Sequence, residues 1–240
     1  MTQLVAVITG TASGIGAATA ALFRAEGWYV VGVDREAADP STADRVLVVD
    51  VSSEAAVEVL IDSLRDLDHI DALVNNAAIS LRVPLAETSL DDWDRTIAVN
   101  LRGAFLTTRA AVPLMRERGG AIVNVSSVHA VATTGDGSAY AAAKAGLVGL
   151  TRATALELAA HKIRANAVLP GAVDTPMLRS RPDQAENVQR IASQTPLGRV
   201  AEANEIAEAI LFLADGQRSS FITGQTLVVD GGALARLSTE

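Results

Sequence analysis

The strongest constraint on the fold is a repeated alternation between short runs rich in valine and isoleucine and longer stretches with helical periodicity. The apolar runs do not alternate strictly with polar residues, which is typical of strands buried on both faces of a parallel sheet. They fall at residues 4–9, 29–33, 46–49, 72–74, 121–125, 163–169 and 226–229. Helical patterns between most of them cover residues 14–26, 54–67, 90–118, 139–160 and 203–213. This order predicts an α/β fold, a doubly wound parallel sheet of about seven strands with helices on both faces.

Three segments depart from this alternation. Residues 36–44 show little periodicity, so we expect a loop where a crossover helix would stand. Pro113 lies inside the long helical run of residues 90–118 and should kink or end that helix. Residues 174–199 are polar, contain three prolines and lack a strand, and we predict an active-site lid there because long irregular segments are often functional. No break in composition marks a second domain, so we expect one domain over all 240 residues.

Composition excludes several classes of function. With 49% apolar and 20% charged residues, the chain can bury a large core and is predicted to be globular. A net charge of -8 argues against nucleic acid as a partner, since phosphate binding needs clustered lysine and arginine. There is no cysteine, which excludes disulfides and thiolate chemistry and fits a cytoplasmic location. We also expect no signal peptide, no membrane-spanning helix and, with 3 histidines, no metal site.

A glycine-rich turn follows the first predicted strand and leads directly into a helix. Its residues are Thr9, Gly10, Thr11, Ala12, Ser13, Gly14, Ile15 and Gly16. Glycines allow a tight turn and let a pyrophosphate approach the backbone, and the helix N-terminus offers free N–H groups to that anion. A tight strand–helix turn without a ligand is the alternative. The position after a strand, before a helix and at the start of the chain favours dinucleotide binding.

Asp34 ends the second predicted strand, 18 residues after Gly16. An acid at this place can accept a hydrogen bond from a ribose 2′-hydroxyl and would repel a 2′-phosphate, which favours NAD over NADP. A turn residue at a strand end is the alternative interpretation. Arg35 complicates the choice, because a guanidinium beside the ribose can hold a phosphate. We expect Arg35 to be solvated or stacked on adenine.

Tyr140 and Lys144 are four residues apart in a helical pattern, so their side chains share one helix face. A free tyrosine, with a pKa of about 10, is a poor acid or base near neutral pH. Lowering that pKa by roughly 3 units takes about 4 kcal/mol, which one cation at ~4 Å supplies at an effective dielectric of ~20. The pair can therefore serve acid–base chemistry. A surface pair without a function is the alternative for this spacing alone.

Taken together, these motifs resemble the short-chain dehydrogenase/reductase family over essentially the whole chain, in the right order. Its cofactor turn is matched by Gly10, Gly14, Ile15 and Gly16, and its adenine-contacting pair by Asp50 and Val51. Further matches are the run Asn75-Asn76-Ala77-Ala78, then Asn100, Ser127 with Tyr140 and Lys144, the loop with Val173 and Thr175, and the C-terminal run Val229-Asp230-Gly231-Gly232. The resemblance implies a Rossmann fold, NAD as cofactor and a homotetramer. Ala78 replaces the family's glycine, a mild departure.

The resemblance also implies a role for each catalytic residue. Tyr140 would take or give the alcohol proton during hydride transfer with a small alcohol or ketone, and Lys144 would lower the tyrosine's pKa and bond the nicotinamide ribose. Ser127 would hold the substrate oxygen, with Ser126 as a rival for that role. Asn100 would hold a water that relays protons from Lys144. Cofactor contacts are implied for Gly10, Ser13, Gly14, Ile15, Gly16, Asp34, Asp50, Val51, Asn76, Tyr140, Lys144, Val173 and Thr175.

Other residues near the predicted site carry weaker signals. His129 could bond a polar substrate or face solvent. The predicted lid carries arginines that could attract a substrate anion or simply be solvated: Arg179, Arg181, Arg190 and Arg199. Trp93 and Phe105 are expected in the core or at an interface, and His69 and His161 at the surface near helix ends.

Two other functions stay open at this point. A 3-oxoacyl-[acyl carrier protein] reductase would prefer NADPH and expose basic residues for an acidic carrier, so Asp34 and the acidic composition weigh against it. A non-catalytic NAD-sensing protein could share the fold, because fold does not imply function. The complete set of catalytic residue types argues against such a sensor.

Overall fold

A parallel seven-stranded sheet forms the centre of the protein, of which the computed structural model describes residues 3–180 and 184–236. The strand order is β3-β2-β1-β4-β5-β6-β7, so the chain winds outward in both directions from β1. The strands are β1 (Val5–Thr9), β2 (Tyr29–Asp34), β3 (Arg45–Val48), β4 (Ala72–Asn75), β5 (Gly120–Val125), β6 (Ile163–Pro170) and β7 (Thr226–Val229). The prediction of a doubly wound sheet with seven strands is confirmed.

Helices cover both faces of the sheet, as predicted. They are α1 (Gly14–Ala25), α2 (Glu54–Asp62), α3 (Leu90–Ile97), α4 (Gly103–Met115), α5 (Ser138–Leu158), α6 (Pro176–Arg179), α7 (Gln184–Gln194), α8 (Ala203–Ala214) and α9 (Gly216–Ser219). Ala6 and Ile8 of β1 pack in one core cluster with residues of α1 and α8, whereas Val7 packs in the opposite cluster with residues of α2 and α4. Both faces of the strand are thus buried, which explains why four of its five residues are apolar.

The helix predicted over residues 90–118 departs from its expected form. Pro113 lies inside α4, and the helix continues to Met115 instead of ending at the proline. The irregularity lies upstream, where a π-helical segment, Ala98–Arg102, joins α3 to α4. Such segments inside α-helices are frequent at functional sites. Asn100, a predicted catalytic residue, lies in this segment.

Two connections bear on the site. Residues 35–44 form no helix, as expected, and Arg24 of α1 braces them by donating to Asp44 and to the Ser41 carbonyl. The predicted lid region contains no strand among its described residues, but it is more regular than expected, because α6 and α7 lie within it. Its two ends meet in a parallel bridge between Val173 and Ala201.

His69 does not lie at the surface, so that expectation is wrong. It is buried at the amino-terminal end of the sheet, with Nε2 2.7 Å from Asp71 Oδ2 and Nδ1 3.0 Å from Arg118 Nη1. Packing between β4 and the end of α4 hides it, which local sequence does not reveal. His161 is half-buried after α5. No helix in the described part of the chain is long and apolar enough to cross a membrane.

Candidate active site

The glycine turn lies where the strand order reverses, between the carboxyl ends of β1 and β4. A Cβ atom on Gly16 would lie 1.9 Å from the Gly10 carbonyl oxygen, and one on Gly10, where φ is +78°, would lie 2.8 Å from Ala77 Cα. Side chains are therefore excluded at both positions. The tight packing leaves the backbone exposed to a ligand at the switch point, where open α/β sheets bind dinucleotides.

Helix α1 offers its N-terminus to this turn. Ser13 stands at the N-cap with extended backbone, and its side chain makes no capping hydrogen bond in the part of the chain described. The first N–H groups of the helix thus remain available to an anion such as a pyrophosphate. Thr9 and Asn76 brace the turn from below. The Thr9 hydroxyl accepts from the Asn76 and Ala77 N–H groups, and the Asn76 amide donates to the carbonyls of Thr9 and Gly10.

Asp34 ends β2 beside the turn. Its carboxylate accepts from the Ala12 N–H at 2.9 Å and from the Glu36 N–H at 3.1 Å, which fixes it at the rim of the groove. Arg35 is 55% exposed and pairs with Glu36 at 3.3 Å, in agreement with the solvated alternative for this residue. Asp34, Arg35 and Glu36 all line the groove, so both signs of charge are present at this part of its rim.

A groove of about 390 Å³ runs over the turn. Predicted cofactor residues that line it are Gly10, Ser13, Gly14, Ile15, Asp34, Asp50, Val51, Asn76 and Thr175. Gly16 is packed under the groove and does not line it. The Asp50 carboxylate accepts from Ser52. The glycine cradle, the free helix terminus and the acid at the rim together fit a dinucleotide.

A second cavity, of about 430 Å³, adjoins the groove, and Ile15, Asn76 and Thr175 line both. Ser127, Tyr140, Lys144 and Val173 also line this cavity. Residues from β5, α5 and the loop after β6 are thus brought together, as the sequence predicts. A ligand in the groove can extend into the cavity, where the hydroxyl-bearing side chains lie.

Tyr140 and Lys144 lie on consecutive turns of α5. The Lys144 Nζ atom is 5.6 Å from the centroid of the Tyr140 ring and donates to the Val125 carbonyl oxygen at 2.7 Å. Lys144 is 2% exposed. Burial disfavours the charged form and lowers the pKa of Lys144 from 10.5 to about 8. The ammonium group of Lys144 lies beside the Tyr140 ring. It uses one N–H donor for the Val125 carbonyl oxygen, and two N–H donors remain.

The two adjacent serines have different roles. Ser126 donates its hydroxyl to the Lys144 carbonyl oxygen at 2.8 Å and so ties β5 to α5. The Ser127 hydroxyl accepts from the His129 N–H at 3.2 Å. Because that bond uses the oxygen as an acceptor, the hydroxyl proton of Ser127 is left to point at a substrate oxygen. The geometry favours Ser127 over Ser126.

Asn100 is buried but does not line either cavity. Its side-chain oxygen accepts from the Ile79 N–H and its amide donates to the Ile79 carbonyl oxygen, both at 2.8 Å. The side chain thus holds the loop after β4 in place. The water relay implied for this residue stays a prediction.

Comparison with known proteins agrees with this arrangement. The family model described as enoyl-(acyl carrier protein) reductase matches residues 10–233. The 3-oxoacyl-[acyl-carrier-protein] reductase FabG of Thermotoga maritima is 41% identical, over 95% of this chain and 96% of that protein. The cis-4-hydroxycyclohexanecarboxylate dehydrogenase of Sinomonas cyclohexanicum is 43% identical, over 97% of both chains.

The chain belongs to the short-chain dehydrogenase/reductase family. The solved structure of the Thermoplasma acidophilum aldohexose dehydrogenase superimposes with a TM-score of 0.91 at 35% identity, covering 98% of this chain and 96% of that one. As a member of this family, the protein is an oxidoreductase that acts on CH–OH groups or the corresponding ketones with a nicotinamide cofactor.

The arginines of the predicted lid differ in their partners and in whether they line the second cavity. Arg179 makes a two-bond pair with Asp174, and Arg199 makes one with Glu205, so both are held by carboxylates. Arg190 lines the second cavity, which contains Ser127 and Tyr140 and is termed the catalytic cavity. Arg181 lies outside the described residues. Trp93 and Phe105 are partly exposed and belong to no core cluster of the described chain, so the core alternative for them is wrong.

Sequence reasoning missed Arg82, which lines the catalytic cavity from the loop after β4. Its Nη2 atom lies 3.1 Å from His129 Nε2. Because a guanidinium only donates, that imidazole nitrogen must be the acceptor. His129 Nδ1, 2.8 Å from the Thr133 hydroxyl, then carries the proton. No local pattern marks Arg82, since its partners are about 50 residues away in the chain.

Proposed function

We propose that the protein transfers hydride between NAD(H) and a secondary alcohol or ketone, with Tyr140 as the general acid and base. One observation carries the proposal: Tyr140 and Ser127 line one cavity, continuous with the dinucleotide groove, while the buried Lys144 lies behind the phenol. The bound nicotinamide ring supplies the hydride acceptor for oxidation and the donor for reduction.

The protein's own groups handle the substrate oxygen and its proton. During oxidation the Tyr140 oxygen removes the hydroxyl proton, and during reduction it returns one. The Ser127 hydroxyl donates to the same oxygen and stabilises negative charge as it develops. The positive charge on Lys144 lowers the free energy of the phenolate and so makes Tyr140 more acidic. The two free donors on Lys144 are available to a cofactor ribose.

Groove residues support NAD as the cofactor. The helix terminus behind Ser13 and the turn at Gly14 would hold the pyrophosphate. Asp34 would accept from the ribose 2′-hydroxyl, and its fixed negative charge opposes a 2′-phosphate. Asp50 and Val51 would lie beside the adenine. Thr175, which lines both cavities, would contact the nicotinamide side with Val173.

The Tyr140→Phe variant tests the proposal. We expect kcat with NAD and a panel of secondary alcohols, followed as reduced cofactor at 340 nm, to fall about 10²- to 10⁴-fold while NADH binding is kept. Tyr29, the other tyrosine, begins β2 and is the matched control as Tyr29→Phe. Equal activity of the Tyr140→Phe variant and the wild type would show that another group moves the proton. A wild type that binds NADH but turns over no substrate would favour the sensor alternative.

The 41% identity to a 3-oxoacyl-[acyl-carrier-protein] reductase keeps that activity as a second candidate. It would use NADPH, whereas Asp34 favours NADH. We expect kcat/KM at least about 10-fold higher for NADH than for NADPH. A strong preference for NADPH, with turnover of a 3-oxoacyl thioester, would instead support the second candidate.

The assembly that we propose is a homotetramer. Apolar side chains on α4, α5 and β7 are exposed, namely Phe105, Leu156 and Val228, and they support a homotetramer built through these elements. Sedimentation of the purified protein measures its mass.

We propose that residues 174–199 act as a substrate lid on the single catalytic domain. The cysteine-free sequence supports a cytoplasmic location.

A further inference from the structure

The catalytic cavity differs in charge from the protein as a whole. The chain has 28 acidic residues and a net charge of -8, yet no aspartate or glutamate lines this cavity among the described residues. Three cations do: Arg82, Lys144 and Arg190. Lys144 contacts the Tyr140 ring and donates to the Val125 carbonyl oxygen. Arg82 is paired with Asp136, which lies outside the cavity, so its guanidinium lines the cavity with no carboxylate beside it among the described lining residues.

Arg82 is held in a fixed orientation. Its Nη1 atom donates to Asp136 Oδ1 at 2.8 Å and to the Thr134 hydroxyl, and its Nη2 atom donates to His129 Nε2. The Thr134 hydroxyl first, and the Arg82 charge after it, lower the pKa of Asp136 and keep that carboxylate ionised. Asp136 itself is half-exposed and does not line the cavity. The side chain of Arg82 is 17% exposed, so its position is set by these partners and not by solvent.

Two donors of this guanidinium remain after those bonds. They are Nε–H, which is buried with no acceptor among the described residues, and the second Nη2–H. In a planar guanidinium Nε–H and one of the two Nη2–H groups share one edge, at the spacing of the two oxygens of a carboxylate. A buried charged donor without an acceptor is costly, so the site is stabilised by a ligand that provides one.

The arginine is linked to the reacting groups through His129. The His129 ring meets the Tyr140 ring edge to face with centroids 5.7 Å apart, and Arg82 contacts the same imidazole at Nε2. Arg82 and Tyr140 are thus both neighbours of His129 and line the same cavity.

We infer that the substrate is a hydroxy or oxo carboxylic acid whose carboxylate is bound by Arg82. This inference rests on the proposed function and specifies its substrate class. Arg190, on α7, adds a second positive charge on the lid side of the same cavity. Neutral alcohols of the same size lack the group that this edge of Arg82 recognises.

The test compares acids with their neutral methyl esters. The probes are 3-hydroxybutyrate, 4-hydroxypentanoate and 5-hydroxyhexanoate, each assayed beside its ester with NAD. For the wild type we expect higher kcat/KM for the acids than for their esters, and the member of the series with the largest ratio measures how many carbons separate the carboxylate from the carbinol carbon. In Arg82→Gln the ratio of acid to ester should fall about 10- to 100-fold, as expected for losing a charged hydrogen bond. Arg82→Lys, which keeps the charge, should restore part of the ratio.

Arg199→Gln is the matched control, because it removes a lid charge that is paired with Glu205 and does not line the cavity. Its ratio should equal that of the wild type. The ratio is measured within one variant, so general damage to the loop cancels. An unchanged ratio in Arg82→Gln, or a wild type that prefers the esters, overturns the inference while the proposed function stands.

A binding measurement separates failure of the inference from failure of the proposed function. Calorimetry with hexanoate and with hexanamide, in the presence of NADH, should show binding of the acid alone, weakened in Arg82→Gln. If the wild type oxidises no alcohol but binds hexanoate through Arg82, the anion site stands and the proposed reaction fails. If hexanoate does not bind, the anion site is overturned.

Discussion

Lys144 combines a charge needed for function with a position that opposes that charge. Its pKa is lowered from 10.5 to about 8 by burial. The unfolded chain therefore binds more protons than the folded protein between about pH 8 and 10.5. Unfolding therefore takes up protons in that window. A higher pH opposes this uptake, so the free energy of unfolding must rise with pH there. Below about pH 8 the folded protein carries the full cost of the buried ammonium.

The size of this cost follows from the change in pKa. At 1.36 kcal/mol per pKa unit, lowering from 10.5 to about 8 corresponds to about 3 kcal/mol. Lys144→Met removes the charge and this dependence on pH. It also leaves the Val125 carbonyl without its donor, which costs about 1–3 kcal/mol at every pH. The variant should be as stable as the wild type, or more stable, at pH 7, and less stable at pH 10.5.

Urea unfolding of both proteins without cofactor, at pH 7 and pH 10.5, measures this effect. We expect the difference in unfolding free energy between wild type and variant to change by about 3 kcal/mol between the two pH values. Both proteins carry Tyr140→Phe, because Lys144 also affects the titration of that phenol. Titration of the remaining groups is shared by both proteins and cancels. Lys162→Met, at an exposed lysine, is the control and should show no such change. A difference that is the same at both pH values would refute the argument that Lys144 is desolvated.

Two further substitutions test the architecture of the site. Gly16→Ala places a methyl group 1.9 Å from the Gly10 carbonyl oxygen, so we expect a loss of about 3 kcal/mol or more in thermal unfolding and loss of the NADH fluorescence change on binding, whereas Gly216→Ala, with no atom within 4 Å, should do neither. Asn100→Ala removes two hydrogen bonds to Ile79 and should lower the free energy of unfolding by about 2–4 kcal/mol in urea, with Asn100→Asp, which keeps the acceptor, intermediate. An Asn100→Ala variant as stable as the wild type would show that water satisfies the loop after β4.

The sequence predicts most of the fold because its signals are local. Largely apolar runs such as that in β1 mark strands buried on both faces, and all seven strands fall within a residue or two of the predicted positions. The turn from Gly10 to Gly16 and the acid at Asp34 are likewise set by short-range backbone requirements. For the same reason the positions of Tyr140 and Lys144 on one helix face follow from spacing alone.

What the sequence does not predict depends on contacts between distant segments. His69 is hidden by the end of α4, which local composition does not show. The π-helical segment at Asn100 has no proline or glycine to mark it, and Pro113, which does mark a break, lies where the helix continues. The orientation of the Arg82 side chain is set by hydrogen bonds to three partners in the segment between β5 and α5. Such groups are found only when the folded chain is available.

The bridge between Val173 and Ala201 has a consequence for how substrate range can change. Backbone bonds from Asp174 to Ala201 and from Ala201 to Ala172 bring the two ends of the intervening segment side by side on the body of the protein. A replacement segment of different length needs only to start and finish at this point. Exchange of residues 178–200 between relatives should therefore change the side of the substrate cavity on which Arg190 lies, while Arg82 and the residues that line the cofactor groove stay the same.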